Sequence, residues 1–389
     1  MRSMVTTCLR PALLAALCAA APAAAQADSA ALVTVLGRDT LALERWVRTP
    51  QRVTAEAVVR SPRTTWRSYV LDLSPDGRMR RFEERVFDPG SSSPVRTDVY
   101  EAADGGWTRT LSQGDSVATA RVEAPAESLP WVDLVHWPFE LVLMRAAGGQ
   151  GGQAPLLSGG RPLAYTVTPA QGGGWTLTHP FRGPSTVRVD GQGRLLSLDA
   201  AGTTRKVIVS RVPWVDVEGP AARWAQADRE GRGIGELSGR GREETTVAGA
   251  RILVDYGQPQ RRGRDIFPGV VRWGQVWRAG ANRATHFSTD RALVLGDGAT
   301  GTITVPAGEY TLFSIPEADG GWLIVNRQTG QNGTAYDSAQ DLGRVPMRRA
   351  TVREPVEVFT IRAETVCGDA GVLRLSWDTS EFTVPLRVQ

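Results

Sequence analysis

Arg251-Ile-Leu-Val-Asp-Tyr256 and Gly371-Val-Leu-Arg-Leu-Ser-Trp377 alternate residue by residue. Ile252, Val254 and Tyr256 fall on one face of an extended chain, with Leu253 and Asp255 on the other; Leu373, Leu375 and Trp377 likewise oppose Val372, Arg374 and Ser376. A period of two belongs to a strand, because successive Cβ atoms point to opposite sides of a sheet. Comparable runs occupy residues 302–305, 310–315, 322–326, 356–361 and 382–388, with little helical periodicity between them. Seven or more short strands within residues 245–389 predict a β-sandwich, of which a jelly roll is one form.

The chain before this domain carries the same signal. Residues 53–60, 64–73, 80–86, 95–101, 107–111 and 116–122 read as strands separated by turns such as Pro75-Asp76-Gly77 and Asp104-Gly105-Gly106. Residues 131–147 break the pattern with near-helical spacing of Leu134, Phe139 and Leu143, predicting one or two short helices that Pro138 kinks or divides. Strands resume at residues 164–168, 175–179, 185–189, 195–198 and 206–212. The prediction is a mainly β, two-domain chain: an antiparallel β-rich domain over residues 28–215 and a sandwich over residues 245–389.

Between them, residues 220–231 read as a helix with Pro220 in its first turn, and five glycines crowd residues 231–241. These glycines superficially resemble a dinucleotide-binding loop. That loop follows a strand and opens a helix, whereas this stretch follows a helix and precedes a strand, so it reads as the end of a linker over residues 216–244.

Residues 1–25 have the three parts of a secretory signal: basic Arg2 and Arg10, an apolar run over residues 11–24, and small residues at the end. The run is shorter than the roughly 20 residues needed to span a bilayer. Cleavage after Ala25 or Ala27 is expected, with a periplasmic or extracellular destination. It removes Cys8 and Cys18 and leaves Cys367 alone, which excludes an internal disulfide and makes this thiol a bystander by default.

Of the 45 basic residues all but Lys206 are arginine, and the formal charge of +4 is spread among interspersed acids. A nucleic-acid binder concentrates its basic residues on a face or in a block, so none is expected as partner. No second apolar run is long enough for a transmembrane segment. The three histidines, His136, His179 and His286, are far apart in sequence and match no metal-ligand spacing, nucleophile elbow, phosphate loop or calcium loop. No metal and no cofactor is therefore expected.

The densest polar and aromatic stretch is 255–290, where arginines interleave with Trp273, Trp277, Asn282 and His286. Guanidinium forks recognise carboxylates and phosphates, and tryptophan faces stack on sugars or cations. Within it, Val254-Asp-Tyr-Gly-Gln-Pro259, Arg262-Gly-Arg-Asp-Ile-Phe267 and Trp273-Gly-Gln-Val-Trp-Arg-Ala-Gly-Ala-Asn282 resemble the bacterial domain-of-unknown-function family 2911. The likeness continues through Ala307-Gly-Glu-Tyr-Thr-Leu-Phe-Ser-Ile-Pro316 and Trp322-Leu-Ile-Val-Asn326, covering about residues 245–388. Pro268, Arg272 and Asn332 depart from the family pattern. The resemblance implies an exported bacterial protein with a β-rich domain, and it singles out Arg264, Trp277, Arg278, Asn282 and Asn326 as candidate ligand-binding residues.

The function expected from these features is non-catalytic binding of a small polar molecule or glycan by an exported envelope protein. A hydrolase using His286 with Asp255 or Asp290 is the first alternative, and an envelope-assembly or protein-interaction partner the second.

Overall fold

A computed structural model describes residues 28–149 and 151–389 of the protein, so the segment read as an export signal lies outside the described residues. The described chain is mainly β, with two large sheets and two α-helices. No helix among the described residues is long and apolar enough to cross a membrane.

The first sheet has fifteen strands. Its seam is the strand Asp28–Leu36, which pairs antiparallel with Asp39–Arg48 on one side and Ile208–Val212 on the other. From this seam one meander runs outward to Ser116–Val122, while the other arm extends to Leu129–Pro130 at the opposite edge. The hairpin of residues 28–48 was not anticipated from sequence. Its alternation is blurred because Leu41, Ala42, Leu43 and Glu44 are all buried, as in strands covered on both faces.

One cover is helix α1, Trp137–Ala147. Pro138 sits in its first turn, where a missing N–H breaks no helical bond; the proline opens one helix and does not divide it, contrary to the sequence expectation. Trp137 is buried with its ring 5.8 Å from Tyr69 and 6.5 Å from Phe82. The fully buried carboxylate of Glu44 accepts from the backbone N–H of His136 at 2.7 Å and of Trp137 at 3.0 Å, meeting the positive end of the helix with a negative charge. The other cover is helix α2, Glu218–Arg229, whose Ala221 packs with Leu43, Val58 and Val217 on the opposite face.

The second sheet has nine strands, from Ser238–Val247 at one edge to Thr302–Val305 at the other. Gly239 and Gly241, expected in the linker, lie in its first strand, and a Cβ on Gly241 would come 2.6 Å from the Tyr256 ring. Two long strands, Asp341–Cys367 and Ala370–Val388, pair with register shifts and bend. Their bending brings Ile361 over Tyr256, whose hydroxyl accepts from the Ile361 N–H at 2.9 Å. The two layers of the sandwich are thus one hydrogen-bonded sheet folded around a core that includes Val254, Phe287, Phe359 and Trp377.

The domains are joined through Arg262, in the loop that follows the strand Ala250–Pro259. Its side chain is buried, donating to Asp39 at 2.6 Å and to the carbonyls of Ile234 and Glu236 at 3.2 and 3.4 Å. Its own N–H donates to Glu357 at 2.8 Å, and its carbonyl accepts from Arg38 N–H at 2.9 Å. Gly37, with φ of 59°, is fitted to this junction: a Cβ there would lie 2.1 Å from the Arg262 carbonyl oxygen.

Gly37→Ala should therefore destabilise the protein by about 1–3 kcal/mol from backbone strain alone, with a further loss as the junction is pushed apart. Calorimetry should show a lower first transition, and limited proteolysis should cut within residues 229–238 faster than in the wild type. Unchanged melting and cleavage would refute the close fit.

Candidate functional site

Beside this junction the two domains line an open cavity of about 820 Å³. The first domain contributes Asp133, Leu134, Arg182, Thr203, Arg205 and Lys206; the second contributes Arg264, Val276, Trp277, Arg278, Asn282 and Tyr336. Five cations and two carboxylates, Asp133 and Glu236, line it. Asp133 is already engaged, accepting from Arg182 at 2.8 Å and pairing closely with Arg205. Lys206, Arg264 and Arg278 form no ion pair among the described residues.

Each of these three cations is held by backbone. Arg264 donates to the carbonyls of Arg261 at 2.9 Å and Gln260 at 2.5 Å. Arg278 has a single long contact, 3.4 Å, to the Gly280 carbonyl. Burial lowers the pKa of both guanidinium groups, because desolvation disfavours the charged form; for Arg264 the charge of Arg262 adds to it. Lys206 sits in a loop organised by buried Thr203, whose hydroxyl donates to the Ala200 carbonyl at 2.8 Å and accepts from the Lys206 N–H at 3.3 Å. The lysine Nζ donates to the Ala201 carbonyl at 3.0 Å.

Four sequence-predicted residues, Arg264, Trp277, Arg278 and Asn282, come together in this cavity. The Trp277 ring is built into the sandwich core, stacked 5.8 Å from Trp377 and edge-on 5.0 Å from Phe359, so it forms a fixed apolar wall. Asn282 adopts a left-handed backbone with φ of 61°, as does Ala279 at 45°. Gly280 does not make this turn; it allows close packing, since a Cβ there would lie 2.9 Å from Thr285 Oγ1. Asn326 is not brought to the cavity. It is fully buried, donating to the Asp337 carbonyl at 2.8 Å and to Asp341 at 2.9 Å while accepting from Gln328 N–H at 2.9 Å.

The candidate acid-base residues lie elsewhere. His286 and Asp255 are opposite each other across adjacent strands and line a hollow of about 170 Å³ next to the cleft. No hydrogen bond joins them among the described residues, and Asp255 instead pairs with Arg240, which holds its carboxyl below the ordinary range. Asp290 stands apart, accepting from Arg251 N–H at 2.7 Å.

His136 and His179, distant in sequence, line one small recess that shares Asp133, Arg182 and Thr203 with the cleft. His136 Nδ1 lies 3.2 Å from Glu44 and 3.1 Å from Thr34 Oγ1. His179 Nδ1 accepts from the Phe181 N–H at 3.0 Å, an interaction that needs an unprotonated nitrogen. The first-domain share of the site, above all Asp133, Arg182, Arg205 and Lys206, was missed because nothing local in sequence links these residues to residues 264–282; the chain's one lysine was the available signal.

Residues 238–386 match the family model described as "Protein of unknown function (DUF2911)", and the N-terminal region matches no family model. The resemblance read between Val254 and Asn326 thus holds for the C-terminal part. No curated protein matches the chain. Among solved structures, the "Crystal Structure of Beta-barrel-like Protein of Domain of Unknown Function DUF1849 from Brucella abortus" is similar at 14% identity and a TM-score of 0.31, covering 48% of this chain and 95% of that one.

Burial and then the charge of Arg182 lower the His179 pKa from 6.5 to about 4. The unfolded chain therefore takes up this proton at higher pH than the folded chain. The stability tied to neutral His179 is complete above about 6.5 and drains as the pH falls toward about 4. Urea midpoints across this range should fall with acidification, and His179→Phe should flatten the fall; an equal slope in both proteins would contradict it. Asn326→Ala should lower stability by about 2–3 kcal/mol in urea unfolding, since it leaves buried polar groups unpaired.

Proposed function

We propose that this is an exported, non-catalytic binding protein that takes a small anionic polar ligand, acidic sugars among them, in the cleft between its two domains. The observation that carries the reading is the convergence of Lys206, Arg264 and Arg278 on one cavity with no ion-pair partner for any of them. Like charges gathered in one partly buried lining repel one another, and an anion placed among them relieves the repulsion and offsets the partial desolvation. The backbone carbonyls that hold Arg264 orient its guanidinium without neutralising it. The signal-like residues 1–25 support export. The hydrolase alternative gains nothing from His286 and Asp255, since the carboxylate is committed to Arg240.

Inorganic phosphate, citrate and glucuronate form a suitable first panel. At least one should raise the melting temperature in proportion to the logarithm of its concentration, as ligands selective for the folded state do. Arg278→Ala should weaken that binding by about tenfold or more, the effect of losing one desolvated charge contact. Added salt should weaken it further. A panel without effect, or an Arg278→Ala protein that binds as tightly as the wild type, would overturn the assignment.

A further inference from the structure

We infer that Lys206 is a nucleophilic amine that captures the carbonyl carbon of a small oxo acid as a Schiff base, while Arg264 and Arg278 hold the acid's anionic group. This deepens the anion-binding reading and rests on it.

The first argument is compositional. This chain uses arginine at every basic position but one, and that one lies in the wall of the interdomain cleft. The two side chains differ in the property that matters here. A guanidinium does not give up its proton in a protein, whereas an amine can lose one and attack an electrophile.

The second argument is geometric. Lys206 has a left-handed backbone, φ of 56°, at a residue that is not glycine. Such a conformation persists only where its surroundings fix it. Those surroundings are Thr203, which receives the N–H groups of Arg205 and Lys206, and the Ala200 N–H bond to the Val207 carbonyl at 2.9 Å. The loop thereby sets Lys206 in the cavity lining that Arg264 and Arg278 of the other domain share, with the amine donating to the Ala201 carbonyl at 3.0 Å.

The third argument is electrostatic. No carboxylate pairs with Lys206 among the described residues. Burial, followed by the charges of Arg264, Arg272 and Arg278, lowers its pKa from the ordinary value. More of the amine is consequently neutral near pH 7 than on an exposed lysine, which is how desolvation and neighbouring cations activate lysine nucleophiles.

The capture balances without a co-reactant. The nitrogen lone pair attacks the carbonyl carbon, the C=O π pair moves to oxygen, and a proton passes from nitrogen to that oxygen to give a carbinolamine. Loss of water as the C=N bond forms completes a reversible condensation with no change in oxidation state. The ligand's own carboxylate, between Arg264 and Arg278, supplies the ion-pair partner that these two cations lack among the described residues.

Glyoxylate with cyanoborohydride tests the inference, since reduction of the imine leaves a carboxymethyl group on the amine. Peptide mapping at neutral pH should find Lys206 labelled at least about as fast as the N-terminal α-amine, whose ordinary pKa is well below that of an exposed lysine. Arg278→Ala should slow labelling of Lys206 by about tenfold while leaving the α-amine unchanged. Citrate should protect Lys206 in the wild type, a readout that does not depend on any variant folding. Labelling of Lys206 far slower than the α-amine, or indifferent to both Arg278→Ala and citrate, would overturn the capture. If citrate or phosphate still raises the melting temperature in that case, the anion-binding reading survives alone; if neither does, both fail.

Discussion

The geometry of the cleft depends on the burial of one charge. Arg262 is 2% exposed, and a guanidinium so placed must have its hydrogen bonds supplied by protein. On its guanidinium the partners are Asp39, after the turn of the seam hairpin, and the Ile234 and Glu236 carbonyls between the domains, while its backbone N–H reaches Glu357 in a long strand of the sandwich. They coexist only when the domains are docked, so docking and burial are one event. Arg264 follows two residues later, and Leu36, just before Gly37, lines the cavity. The clamp therefore fixes the distance between the two walls of the site.

Strain gathers around the same place. Among the described residues, seven that are not glycine have a left-handed backbone. Leu134, Lys206 and Asn282 line the cleft, Ala279 lies between lining residues Arg278 and Gly280, and Arg262 is the clamp itself. Each such residue costs about 1–3 kcal/mol relative to a relaxed backbone. Together with cations that have no ion-pair partner among the described residues, they gather local strain and unbalanced charge at one place, the kind of place where a sequence departs from local rules for function.

Much of the architecture was legible because it depends on local patterning. Ile252, Val254 and Tyr256 alternate in the sequence and are buried in the sandwich core. The hairpin of residues 28–48 was not legible, because α1 and α2 cover both its faces and Glu44 is buried for the sake of a helix terminus about ninety residues away. Pro138 was misread since its effect depends on whether it opens or interrupts a helix. At the site, residues 264–282 were legible as a dense stretch of arginine and aromatic side chains. Asn326 was selected by the same polarity but serves a buried turn. Lys206 carried its signal in composition, and only the fold shows which arginines it faces.

The junction also bears on what kind of binding the cleft supports. Besides the Arg262 contacts, the linker is tied to the first domain by Thr64 N–H to Asp228 of α2 at 2.6 Å and by Ser61 to the Gly235 carbonyl at 3.1 Å. Ser61 and Pro62 also line the cleft, so the linker that leads to the second wall is itself pinned to the first. A ligand entering such a cleft does not have to assemble it. The proximity of Lys206, Arg264 and Arg278 is imposed by folding, through the clamp and the carbonyls that hold Arg264, and on the proposed reading an anion would relieve it. On that reading, free energy stored in this way would enter the affinity directly. On the proposed reading, a site whose walls are set by the fold, with one amine among guanidinium groups, selects first for negative charge and then for a group with which an amine can react.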